Sequence, residues 1–127
     1  MLLHLCVDFD EVEIARWLLE RGMDVDAKAA VDADGFGGHS ALFGAVVSYP
    51  NWWKNYGGKP DDASFARLLL DYGADPDARA SLRKQLGDGP MKEYRDVTPF
   101  SWGEQFRDPL YVSKPAMQLI GERSGHA

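Results

Sequence analysis

The chain has 127 residues, enough for one domain of ordinary size and too few for two independent cores. Twenty acidic against fourteen basic side chains give a formal charge of −6, so no global positive field exists to draw in nucleic acid or anionic lipid. An apolar share of 45% argues against disorder, the longest apolar runs fall far short of the ~20 residues that span a bilayer, and a single cysteine excludes an intrachain disulfide.

In chain order, Met1–Val7 is apolar, but no basic residue precedes it and Asp8 and Asp10 end it early, so it does not read as a secretory leader. With Cys6 as the lone thiol, the expected compartment is the cytoplasm. Leu3-His4-Leu5-Cys6 opens a short helix, and Glu13–Leu19 forms a second, with Ile14, Ala15, Leu18 and Leu19 on one face. Gly22 follows the last apolar residue, where a left-handed turn ends a helix at low cost. Asp24 and Asp26 then alternate with small or apolar residues, as in an extended loop whose carboxylates bond nearby amides. Ser40–Ala45 opens another helix, Phe65–Leu70 repeats the apolar face, and Gly73 with Asp75 and Asp77 repeats the exit. Thr98-Pro99 supplies an N-cap hydroxyl and a proline at the first helical position. Ala116–Ile120 is the last helical stretch, and Glu122–Gly125 its exit.

Aligned at an offset of 51, Ala15–Ala29 (ARWLLERGMDVDAKA) and Ala66–Ala80 (ARLLLDYGADPDARA) agree at nine of fifteen positions. The helix openings Leu2–Cys6, Ser40–Ala45 and Thr98–Gly103 form a second recurring pattern. Together these residues resemble the ankyrin repeat, a unit of about 33 residues with a Thr-Pro-Leu-His-x-Ala opening, two helices and a turn. The resemblance implies an all-α fold: a short α-solenoid of stacked helix-turn-helix repeats with extended β-turn loops and inserted surface loops. It divides residues 1–127, as a single domain, into repeat 1 at about 1–33, repeat 2 at about 38–80 with an insertion at 48–62, a second insertion at 81–95, and repeat 3 at about 96–127. In that family the motif histidine, here His4, makes a structural hydrogen bond between neighbouring repeats. No single unit buries its apolar face alone, so stability rests on stacking. The chain starts inside a repeat motif, which predicts an apolar N-terminal flank and leaves room for further repeats upstream of Met1.

The insertions break the pattern. Leu3 to Leu42 spans 39 residues and Leu42 to Phe100 spans 58, against about 33 per unit. The segment 48–62 concentrates Tyr49, Trp52, Trp53 and Tyr56 among prolines and glycines. It reads either as a recognition loop carrying aromatic anchors or as rings folded back over the flank of an enlarged repeat. The segment 81–95 holds Arg83, Lys84, Lys92 and Arg95 against Asp88 and Glu93. This basic island is either a solvated loop, an acidic-partner contact, or a partner for the chain's own aspartates.

No catalytic set assembles. His4 and Cys6 are two apart on a helix and point away from each other, and Cys6 reads as a small buried hydrophobe. Asp32-Ala33-Asp34-Gly35 fails as a calcium loop, since its first and last ligand positions fall on Ala30 and Ala41. His39 with Asp32 and Asp34 lacks a scaffold that would fix a metal's geometry, and Gly35, Gly37 and Gly38 precede no phosphate-binding Lys-Ser/Thr. Trp102, Glu104 and Phe106 pack on or cap the last repeat. The expected function is a non-catalytic protein–protein interaction module without cofactor or metal, specificity residing in the inserted loops and the turns Asp24–Asp34 and Asp75–Arg79. Expected contacts with the partner protein are Phe36, Tyr49, Trp52, Trp53, Tyr56, Arg83 and Lys84; His4, Gly22, Gly73, Thr98 and Pro99 are structural. The alternative is a small-ligand or carbohydrate-binding module that stacks sugars on Trp52, Trp53 and Tyr56.

Overall fold

The computed structural model describes residues 2–85, 89–106 and 108–124. Asp88 of the basic island and Gly125 of the last exit lie outside the described residues. Among the described residues, seven α-helices run in the order α1 (Leu2–Asp8), α2 (Val12–Glu20), α3 (Ala41–Val46), α4 (Tyr49–Tyr56), α5 (Ser64–Asp71), α6 (Pro99–Gln105) and α7 (Lys114–Ser124). Strands β1 (Ala80–Lys84) and β2 (Lys92–Val97) lie between α5 and α6, and a 3-10 turn at Pro109–Tyr111 precedes α7.

Helices α1, α3 and α6 pack side by side in one row, and α2, α5 and α7 in a second. The rows meet over a core centred on Leu3, Leu42, Phe43, Val46, Leu69 and Ile120. On α3, Val46 follows Phe43 and Leu42 at three- and four-residue spacing, so the apolar periodicity becomes the contact between rows. Gly22 and Gly73 have φ near +89° and +88°, the left-handed backbone that ends α2 and α5. The two exits are then tied together: Asp26 and Asp77 amides bond the Asp24 and Asp75 carboxylates within each turn, and the Asp75 amide donates to Asp26 across the repeats at 2.9 Å. At α6, Thr98 Oγ1 accepts from the Ser101 amide while Ser101 Oγ accepts from the Thr98 amide, a reciprocal cap.

Two expectations need correction. The chain is helical but not all-α, because the segment expected as a loop at 81–95 contributes most of an antiparallel hairpin, with Leu82 opposite Tyr94, Arg83 opposite Glu93 and Lys84 opposite Lys92. Ala80, Leu82, Tyr94 and Val97 turn inward, and Tyr94 stacks on Phe106 with ring centres 5.0 Å apart. The basic residues hid this alternation because they occupy the outward positions. The second correction is that the aromatic insertion is not an irregular loop: Pro50 sits in the first turn of α4, where its missing amide hydrogen costs nothing.

Candidate binding surface

Two asparagines tie helix α4 to backbone carbonyls of its neighbours. Asn51, buried, donates from Nδ2 to the carbonyls of Ala45, Val46 and Tyr111 at 3.3, 3.0 and 3.2 Å. One turn later Asn55 donates to Leu110 and Val112 at 2.7 and 3.1 Å. The same carbonyl-rich segment is joined to the end of α3 by backbone bonds from Ser48 to Tyr111 and from Ser113 to Val46. Spacing of four puts both amides on one helix face, so that face is anchored and the opposite one is set facing outward. Neither asparagine was singled out from sequence, because the spacing of four places them on one face only once the segment is known to be helical.

The rings divide accordingly. Trp52 is half-buried and stacks on Tyr56, with centres 4.8 Å apart and planes 6° apart, and it leans on Tyr111. Tyr49 meets Tyr111 edge-on at 5.5 Å, and Lys84 Nζ lies 5.6 Å from the Tyr49 ring. Trp53 and Tyr56 are 62% and 72% exposed. The insertion therefore both packs and presents: Trp52 serves the fold, while Trp53 faces solvent.

Phe36 and Arg83 occupy a different position from the one expected of partner contacts. Phe36 is 4% exposed, covered by the guanidinium groups of Arg83 and Arg95 at 4.1 and 4.4 Å from its ring centre. Arg83 reaches Asp32, Asp34 and Glu93 at 3.2, 2.9 and 3.5 Å, so the basic island is neutralised internally at this residue. Asp32 in turn accepts from the Phe36 and Asp34 amides, and these bonds, the Phe36 one foremost, hold its carboxyl below the usual range. A hydrogen bond from the Gly37 amide to the Ser81 carbonyl at 2.8 Å completes a clasp between loop 31–38 and the hairpin. At Arg83 the basic island is thus a partner for the chain's own aspartates, one of the readings its composition offered; which aspartates it meets is settled by residues about fifty positions apart.

At the N-terminal end, Leu2, Leu5, Phe9, Ile14 and Trp17 are exposed, and Arg21 lies 3.8 Å over the Trp17 ring. Phe65 and Leu68, which align with Ile14 and Trp17 at the offset of 51, are buried in the second copy. The apolar flank is thus the face that, one unit later, is covered by packing of α2 and α5.

Between α1 and the segment that leads into α3, His4 Nε2 donates to the His39 carbonyl at 2.8 Å, and the two rings meet at 81°. Burial first, then the charges of His4 and Lys84, pushes the His39 pKa from 6.5 to about 4. The unfolded chain therefore takes up a proton between pH 6.5 and 4 that the folded chain refuses. Stability from this residue is present above pH 6.5 and is lost as the pH falls towards 4. Because His39 is partly open, we expect about 1–2 kcal/mol rather than the full shift. Urea unfolding at pH 7 and pH 4.5 checks this: His39→Gln should lose less stability on acidification than the unmodified chain, and equal losses would refute it. Cys6 is buried, and burial pushes its thiol pKa up, away from reactivity.

No helix among the described residues is long and apolar enough to cross a membrane. Comparison with curated proteins and with solved structures gave no match. Residues 2–30, which hold α1, α2 and the turn after Gly22, match the family model of the ankyrin repeat, and the chain carries an ankyrin repeat there.

Proposed function

We propose that this chain is a non-catalytic protein-binding module whose anchor is the outer edge of α4, Trp53 and Tyr56, flanked by Tyr49 and Lys84. Ankyrin repeats generally mediate protein–protein contact and are typically non-catalytic. The observation that carries the reading is the pairing of rigidity with exposure: Asn51 and Asn55 fix α4 to backbone carbonyls while Trp53 and Tyr56 stay open to solvent. An aromatic held in place before binding loses little entropy on docking, and such residues dominate interface energetics. The partner supplies an apolar pocket for the Trp53 ring.

Replacing Trp53 and Tyr56 together with alanine should weaken partner capture at least about thirtyfold, corresponding to about 2 kcal/mol or more. Because both rings are largely exposed, the melting temperature should move by no more than about 2–3 °C. Capture compared between the two proteins, with melting recorded on each, is the measurement. Unchanged capture overturns the reading. Sugar binding on the same rings is separated from it by a glycan array with no protein partner present; Trp52 and Tyr56 already cover one face of each other, which favours the protein partner.

A further inference from the structure

A second place in the fold, which shares only Lys84 with α4's outer edge, has the chemistry of a ligand site. A cavity of about 170 Å³ lies between α1, α3, α6 and β1, several times what one water occupies. Its walls include His4, His39 and Trp102. Trp102 is only 3% exposed, and its indole Nε1–H finds no acceptor among the described residues. Because His4 bonds a carbonyl through Nε2, that nitrogen carries the proton, and in the neutral ring Nδ1 is an acceptor. His4 Nδ1 is also buried without a partner, as is His39 Nδ1. Buried polar atoms are nearly always paired, so a donor and an acceptor left over beside one cavity point to a ligand that answers both.

We propose that this cavity binds a neutral carboxamide, whose oxygen accepts from Trp102 Nε1 and whose N–H donates to His4 Nδ1. The charge balance selects the class. At the rim stand one anion, Asp8, and one cation, Lys84, while Arg83 is committed to three carboxylates. Burial keeps His39 uncharged at neutral pH, so the floor has no counter-charge to offer an ion that gives up its hydration. His4 belongs to α1 and Trp102 to α6, and both line this one cavity, so donor and acceptor come from different elements. A carboxamide carries its two functions on separate atoms and can answer two separate groups; a hydroxyl must serve both through one.

The test follows the Trp102 indole N–H resonance in ¹⁵N-labelled protein during titration with acetamide, acetate and ethanol. Acetamide should shift it saturably, with acetate and ethanol at least about tenfold weaker. No saturable shift with acetamide up to about 100 mM, or equal affinity for acetate, overturns the proposal and leaves a hydrated cavity. Two short acetylated peptides, Ala-Gln-Ala and Ala-Glu-Ala, separate the sources. Preference for the glutamine peptide over both its glutamate counterpart and acetamide assigns the amide to a partner's side chain; preference for acetamide assigns it to a free small amide. Trp102→Phe keeps most of the ring volume and removes the donor. Its acetamide binding, read by calorimetry, should fall at least about tenfold, and wild-type affinity in this variant overturns the proposal. Should it fail to fold, the titration of the unmodified chain decides.

Discussion

Replacing Gly37 with alanine should destabilise the protein by about 3 kcal/mol or more, the largest loss expected from adding a single methyl group anywhere in loop 31–38. The backbone there has φ of +120°, which side-chain-bearing residues rarely adopt. A Cβ would also overlap the Ala30 carbonyl oxygen and crowd Ala30 C and Val31 Cα at 3.0 and 3.1 Å. All three are backbone atoms, and the facing segment is fixed by bonds from the Gly38 amide to the Ala29 carbonyl and from the Ala29 amide to the His39 carbonyl. Relief can come only by opening the loop. That releases the Gly37–Ser81 hydrogen bond and with it the seat of Phe36 beneath Arg83 and Arg95. Gly35→Ala is the control, since φ is +88° but nothing lies within 4 Å of the added atom; it should cost only about 1–2 kcal/mol. Urea unfolding of both variants decides the matter, and equal losses would mean that the close approach to Ala30 does not constrain the loop.

Asn51→Asp is the second large effect. The substitution is nearly isosteric, yet it exchanges the NH₂ that serves three carbonyls for an oxygen facing all three. With the site buried, a carboxylate there has no donor and little water, so we expect a loss of about 3–5 kcal/mol at pH 7. For a chain of this length that lowers the melting temperature by roughly 10 °C or more. The sign with pH is opposite to that from His39. The new carboxyl's folded-state pKa is raised, so the variant regains stability relative to the unmodified chain as the pH drops and the group protonates. Asn51→Ala, which removes the donor without adding charge, should cost about 1–3 kcal/mol and show no such recovery. A variant melting within about 2 °C of the unmodified chain at pH 7 would mean that α4 is held by its rings and not by its amides.

These two positions bracket what was legible in advance. The helix faces around Leu18 and Leu69, the exits at Gly22 and Gly73 and the cap at Thr98 each depend on a few consecutive residues, and each was readable from the residues alone. Asn51, Asn55 and Gly37 look like ordinary loop residues until their partners are known, and apart from Ala45 and Val46, which also accept from Asn51, those partners lie at 110–112, 81 and 30.

The residues alone fix the inward positions Ala15, Leu19, Phe65, Leu68 and Leu69 of α2 and α5, their glycine exits and the cap at Thr98, because helix period, glycine handedness and capping are local physics. Tertiary structure alone decided that Leu82 and Tyr94 pair in a hairpin, that Phe36 is covered while Trp53 is open, and that His4, His39 and Trp102 meet at one cavity. Each of those outcomes depends on which distant backbone or charge arrives opposite a residue, and such encounters leave no periodic trace along the chain.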